Sequence, residues 1–109
     1  RADKKAMNDL QTLAKDTRTL YGAEAKYLVA QQLYKAGEYA AAEKEILNFI
    51  DQSTPHAYWL ARSFVLLSDV YVAMDKKLDA RQYLLSLQQN YHADDDIEQM
   101  INERLEKLK

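Results

Sequence analysis

Few residues in this sequence have types and spacings that could carry out chemistry. The two histidines, His56 and His92, lie far apart and have no acidic or histidine partner at helical spacing. We therefore expect neither a metal pair nor a catalytic base. The three aspartates at 94–96 lack the glycine turn and closing glutamate of a calcium loop, whereas carboxylates favour the first turn of a helix. We interpret this run as a helix start.

Other signatures of catalysis are missing as well. The chain has no cysteine, which excludes disulfides, thiolate metal sites and a cysteine nucleophile. It also has no glycine-rich phosphate loop and no nucleophile elbow. The sequence predicts a protein that is not an enzyme and that holds no metal or cofactor.

Composition limits the fold class and the kinds of partner. A chain of 109 residues suits one domain, and only two glycines and one proline interrupt it. We predict an all-α protein of about six helices. Because 15 basic residues are balanced by 17 acidic ones, the chain lacks the positive field that nucleic-acid binding usually needs.

The most apolar segment runs over residues 53–74 and predicts one long central helix. Ser53 or Thr54 is expected to cap it, with Pro55 at its first position. Apolar residues fall nearly all round this helix, so more than one neighbour must cover it. A membrane span is not expected, because Arg62 and Asp69 interrupt the apolar run.

The other segments have the apolar spacing of amphipathic helices. Gly37 is a strong C-terminal stop signal. The predicted helices cover residues 3–15, 21–36, 39–51, a stretch from the turn at 75–77 to between 90 and 93, and 94–109.

Apolar residues also recur at a longer period. Ala6, Ala42 and Ala80 lie 36 and 38 residues apart, and each is expected where two helices approach closely. Residues of matching type accompany them in the two central units: Val29, Ala30, Leu33, Gly37, Tyr39, Ile46 and Phe49 in one, and Phe64, Leu67, Ser68, Tyr71, Leu84 and Leu87 in the other.

This pattern resembles the tetratricopeptide repeat family over residues 1–91. The resemblance implies a right-handed superhelix of antiparallel helix pairs, an α-solenoid. Residues 1–16 would be the second helix of a truncated repeat, 22–52 and 55–91 two repeats, and 94–109 a capping helix. Lys26 and Asp75 depart from the family, which prefers an aromatic residue and glycine there. An ordinary antiparallel bundle is the alternative.

In this family, peptides bind the concave wall formed by the first helix of each pair. Carried over by position, the wall residues are Glu24, Tyr27, Gln31, Tyr34, Lys35, Arg62, Val65, Asp69, Val72 and Ala73, with Tyr58 extending the row. Alternatively, Tyr27 and Tyr34 pack against neighbouring helices with only their hydroxyls exposed. Trp59 is expected to fill the contact with the preceding repeat, on a different face from Arg62 and Asp69. A clamp for a chain-terminal carboxylate is not expected, because positive charge is scarce.

The leading functional hypothesis is a protein-interaction scaffold that binds a protein or peptide partner. Because the sequence starts at Arg1, we expect it to be a piece of a longer protein. It could then be a structural spacer whose bare first helix, through Leu10 and Leu13, allows a homodimer. A third hypothesis is that the chain is a regulatory appendage of an enzyme. The long repeat spacing resembles variants from bacterial envelope proteins, and the compartment is left open between the periplasm or envelope and the cytoplasm.

Overall fold

The computed structural model describes residues 4–109, which form six α-helices and no strand. The helices are α1 (Lys4–Leu13), α2 (Leu20–Lys35), α3 (Tyr39–Asp51), α4 (Ala57–Ala73), α5 (Lys77–Asn90) and α6 (Ile97–Lys107). The predicted all-α class is confirmed. Asp3, where the first helix was expected to start, lies outside the described residues. None of these helices has the length and apolar character needed to cross a bilayer.

Three helices form a row, in which α2 packs on α4 and α4 packs on α6. The other three lie beside this row: α1 contacts α2, α3 contacts both α2 and α4, and α5 contacts both α4 and α6. Consecutive helices are therefore neighbours, as short connections require.

The centre of this arrangement is α4, which contacts α2, α3, α5 and α6. Leu67 and Val70 are completely buried, as the nearly continuous apolar character of this segment predicted. Ala42 of α3 and Ala80 of α5 are also completely buried, in agreement with the predicted close approach of helices. Ala6 is exposed, and the truncated-repeat interpretation includes no first helix for this repeat, so the expectation stays a prediction for α1. The residue that α1 buries instead is Ala14, just past its end.

The structure contradicts the predicted start of α4. The helix begins at Ala57 with His56 in the N-cap position, rather than being capped by Ser53 or Thr54. Ser53 has a positive φ of 53°, which turns the chain before the helix starts. The Thr54 hydroxyl donates to the Thr17 carbonyl oxygen at 2.6 Å and accepts from the His56 amide at 3.2 Å. This side chain connects two loops and leaves the first helical turn uncapped.

Helices α2 and α4 end in the same way. Gly37 has φ 80° and Asp75 has φ 61°, both in the left-handed region. After Gly37, the Glu38 amide donates to the Leu33 carbonyl at 2.9 Å. After Asp75, the Lys76 amide donates to the Tyr71 carbonyl at 2.7 Å. Both connections therefore have the long backbone bond of a Schellman-type C-cap.

At the opposite end of the helices, the loop before α2 is tied to the loop before α4. The Thr17 hydroxyl donates to Gln52 Oε1 at 2.7 Å, and Thr54 bonds the Thr17 carbonyl. His56 Nε2 lies 2.9 Å from the Arg18 carbonyl oxygen, so this ring nitrogen must carry a proton to bond it. The paired residues are 35, 37 and 38 positions apart.

Lys26, where the resembled family prefers an aromatic residue, is nearly buried in α2. Its ammonium group lies 3.0 Å from a Glu45 carboxylate oxygen and donates to Asn48 Oδ1 at 2.7 Å. Both partners are on α3. Lys26 therefore connects α2 to α3, but it does so through an ion pair rather than through an aromatic ring.

Replacing Gly37 with alanine should lower the free energy of unfolding by about 1 kcal/mol, because a Cβ is disfavoured at this backbone conformation. A Cβ added here would meet no atom within 4 Å, so steric contact would contribute nothing. Gly37→Asn should lose less than Gly37→Ala, because asparagine tolerates the left-handed region. Urea unfolding of the three proteins measures this. Equal stability of Gly37→Ala and the parent would contradict the explanation.

Candidate functional site

A groove runs along the row formed by α2, α4 and α6. It consists of two adjoining cavities, which share Tyr34, Asp69, Glu103 and Arg104 in their linings. The first, named here the Arg62 cavity, has a volume of about 350 Å³. The second, the Val72 cavity, has a volume of about 860 Å³ and lies towards the C-terminal ends of α4 and α6.

The structure brings most of the predicted wall residues together. Those that line the Arg62 cavity are Tyr27, Gln31, Tyr34, Lys35, Arg62, Val65 and Asp69. Val72 lines the second cavity. The remaining three, Glu24, Tyr58 and Ala73, line neither cavity. Tyr58 is nevertheless connected to the site through Arg62.

Arg62 is the centre of an aromatic cluster. Its guanidinium carbon lies 4.9 Å from the centre of the Tyr27 ring, 5.8 Å from Tyr58 and 5.7 Å from Trp59. The guanidinium also donates to the hydroxyl oxygens of Tyr58 and Tyr27, each at 3.1 Å. A cation held against several ring faces gains favourable electrostatic energy, and its orientation is fixed by the hydroxyls.

Hydrogen bonds extend this cluster in both directions. Gln31 donates to the Tyr27 hydroxyl at 3.3 Å, and the Tyr58 hydroxyl donates to Asp96 at 2.9 Å. The chain of bonds therefore links α2, α4 and the N-terminal end of α6. Burial raises the pKa of Tyr58, Arg62 lowers it, and the bond to Asp96 raises it, so that the hydroxyl stays protonated.

Tyr27 and Tyr34 differ in how they are placed. Tyr27 is 6% exposed and packs on Trp59, so only its hydroxyl reaches the cavity. Its geometry fits the alternative in which the ring is a packing residue. Tyr34 is half-buried, stacks against Tyr39 and lines both cavities. Burial and the nearby carboxylate of Asp69 raise the pKa of Tyr34.

Trp59 makes the predicted contact with the preceding helix pair, because its ring centre lies 5.5 Å from that of Tyr27. The expectation that it lies on a different face from Arg62 is wrong. Residues three apart on a helix are neighbours, and Arg62 folds back over the indole. Trp59 therefore belongs to the aromatic cluster that holds the cation.

The sequence analysis missed the contribution of α6. Arg104 forms a two-pronged pair with Asp69, from Nε at 2.9 Å and from Nη2 at 3.0 Å. Met100 and Glu103 of the same helix also line the Arg62 cavity. Asp69 and Arg104 are 35 residues apart, the same separation as Tyr27 and Arg62. That recurring separation was the signal that could have placed α6 beside α4.

The charges of the Arg62 cavity are partly compensated. Its lining has three cations, Lys35, Arg62 and Arg104, and two anions, Asp69 and Glu103. Arg104 and Asp69 neutralise each other. Among residues 4–109, no carboxylate forms an ion pair with Arg62 or with Lys35. The cavity therefore keeps positive charge that the described part of the chain does not compensate.

The residues first considered for chemistry have structural contacts instead. His92 bonds the Gln89 carbonyl, as His56 bonds that of Arg18. Asp95 accepts from the Ile97 amide at 2.9 Å, which fits the predicted helix start. Burial, together with the bond donated to Asp95, raises the pKa of Tyr91 to about 12. Within residues 4–109, no group of three or more histidine or acidic side chains is arranged to hold a metal ion.

Comparison of the chain with protein-family models, with characterised proteins and with solved structures finds no match. The tetratricopeptide resemblance stays a prediction from the repeated residues of the sequence.

The Asp69–Arg104 pair should have a measurable coupling energy. We expect a double-mutant cycle of Asp69→Ala and Arg104→Ala to give about 1 kcal/mol in urea unfolding, because the pair is bidentate and largely buried. The matched control is the Glu106–Lys109 pair, whose side chains are more than 70% exposed. Its coupling should be no more than a few tenths of a kcal/mol. Similar values for both cycles would show that Asp69–Arg104 does not fasten α6.

Proposed function

We propose that this chain is a protein-interaction module, in which stacked tetratricopeptide-like helix pairs bind a partner segment in the groove along α2, α4 and α6. The first helices of the successive pairs would be α2 and α4, and α6 would occupy the corresponding position of a third pair. The observation that carries the proposal is the groove itself, since its two cavities join residues from all three helices of one row.

Two recurrences support the stacked architecture. The left-handed residues Gly37 and Asp75 lie 38 positions apart and end α2 and α4 with the same backbone bond pattern. Polar bonds also join residues at a constant separation in the sequence, which is 35 for both Tyr27–Arg62 and Asp69–Arg104. A repeat whose units contact only their neighbours produces such constant separations.

The chemistry of the groove resembles that of protein interfaces. It combines tyrosine and arginine, which are enriched at such surfaces, with apolar side chains such as Val72 and Met100. Most of the polar groups on its floor are oriented by intramolecular bonds, so little conformational entropy is lost when a partner binds. A groove of this kind suits a short segment better than a flat protein surface.

The groove can be tested with variants that leave the core intact. Tyr27 is unsuitable, because removing a buried ring costs several kcal/mol of stability. We therefore combine Gln31→Ala, Lys35→Ala and Val72→Ser, which alter more accessible lining residues. The partner recovered by affinity capture from an extract of the source organism should bind this variant at least tenfold more weakly by calorimetry.

The matched control makes three comparable changes outside the groove, replacing an amide, a cationic and an aliphatic side chain by Gln82→Ala, Arg81→Ala and Leu78→Ser on α5. It should bind as the parent does, and circular dichroism should show that all three proteins are folded. Equal loss in both variants, or loss in neither, would show that the groove is not the binding surface.

A second candidate function is self-association or stacking through the N-terminal end. Large apolar side chains are exposed there: Leu13, which belongs to the predicted bare stripe of α1, is 52% accessible, and Tyr21 of α2 is 72% accessible. Leu10 is half-buried and packs against the cluster of Ala14, Ala25 and Val29, so it is less available.

If this surface associates, light scattering should show a concentration-dependent dimer, and the Leu13→Glu, Tyr21→Glu double variant should be monomeric. Leu78→Glu, which places the charge at a side chain 80% exposed on α5, is the control and should still dimerise. A parent protein that remains monomeric at millimolar concentration would rule out the homodimer.

A further inference from the structure

The floor of the groove contains a cation that lacks an anion. Arg62 donates one N–H to the Tyr58 hydroxyl and one to the Tyr27 hydroxyl, and both acceptors are uncharged. A guanidinium has five N–H donors, which leaves three for another partner. In the part of the chain that the structure describes, no carboxylate pairs with it.

The position of this cation is fixed before any ligand arrives. Three aromatic rings surround the guanidinium, and the two hydroxyls hold its plane. An arginine oriented in this way loses little side-chain entropy when it forms a two-pronged bond to a carboxylate. The cluster therefore has the properties of a preorganised anion subsite rather than of a flexible surface charge.

The other charges of the groove determine where an acid is favoured. Asp69 in the middle is neutralised by Arg104, whereas Glu103 lines both cavities and has no ion pair among residues 4–109. An acidic ligand is thus repelled near Glu103 and attracted towards Arg62 and Lys35. The charge of the groove therefore changes from positive near Arg62 to more neutral near Val72.

The far end of the groove offers an apolar contact among charged residues. Val72 is 39% exposed, and Leu108 and Tyr34 line the same cavity, together with charged residues of both signs that include Lys77, Glu106 and Lys107. Arg62 and Val72 are ten residues apart on α4, which corresponds to about 15 Å along the helix axis. An extended peptide covers that distance with four to five residues at about 3.3 Å each.

We infer that the groove recognises a partner segment in which an internal Asp or Glu side chain pairs with Arg62 and an apolar side chain four or five residues away packs on Val72. The inference rests on the proposed function and adds the chemistry of the ligand to it. The acid is assigned to a side chain within the segment rather than to a chain terminus, because a clamp for a terminal carboxylate needs more positive charge than Arg62 and Lys35 provide.

The test uses a library of random 12-residue peptides displayed through their C-termini, so that no peptide has a free terminal carboxylate. Selection on the parent protein should enrich peptides that have Asp or Glu four or five positions from Leu, Ile, Val or Phe. Selection on Arg62→Gln should lose the acidic position and keep the apolar one. Arg81→Gln, which removes the same charge from the exposed side of α5, should select the same peptides as the parent.

A synthetic consensus peptide with blocked ends provides the quantitative arm. Changing its acid to Gln should weaken binding to the parent at least tenfold, and binding to Arg62→Gln by less than twofold. Glu103→Gln should bind the acidic peptide several-fold more tightly and the Gln peptide equally well. This variant alters an exposed residue, so its result does not depend on the folding of Arg62→Gln.

The outcomes separate the inference from the function on which it rests. Enriched peptides without an acidic position, or an acidic preference that persists in Arg62→Gln, would overturn the inference while the groove remains a binding site. Absence of any enriched peptide would overturn both. Arg62→Lys keeps the positive charge without the forked donor, so it should retain the acidic preference with reduced affinity.

Discussion

The structure depends on the burial of α4 on almost every side. Because the helix has apolar side chains around most of its circumference, a single neighbour could not cover it, and four helices pack against it. Leu67 and Val70 lose all contact with solvent as a result. The charged positions of α4, Arg62 and Asp69, lie where the row of α2, α4 and α6 forms the groove. The burial requirement thus decides which side of the protein is polar and concave.

Polar bonds between distant segments supplement this apolar core. The hydrogen bonds Thr17–Gln52, Tyr27–Arg62 and Asp69–Arg104 all join residues 35 positions apart. Apolar packing alone tolerates sliding of one helix along another, whereas directed bonds have a fixed register. The bonds Tyr27–Arg62 and Asp69–Arg104 therefore fix α2, α4 and α6 relative to one another, and so the shape of the groove.

Local sequence signals predicted the helix count, the burial of α4 and the C-terminal stop at Gly37, because periodicity and left-handed glycine act within a few residues. Eight of the eleven predicted wall residues line the two cavities. The contribution of Arg104 was missed, since it depends on how α6 lies against α4, a contact between distant segments. The start of α4 was misjudged because Thr54 bonds a carbonyl 37 residues away instead of its own helix. Both errors arose because contacts between residues far apart in the sequence determined the structure.

The position of Trp59 has an optical consequence. It is the sole indole in the chain, and its ring faces both Tyr27 and the guanidinium of Arg62. Indole emission responds to charge and to water close to the ring. An anion that paired with Arg62 would change the electric field at the indole, and a segment bound as proposed would remove water from its surroundings. The chain therefore has an intrinsic fluorophore next to the floor of the groove, with which the proposed binding can be followed without attaching a dye.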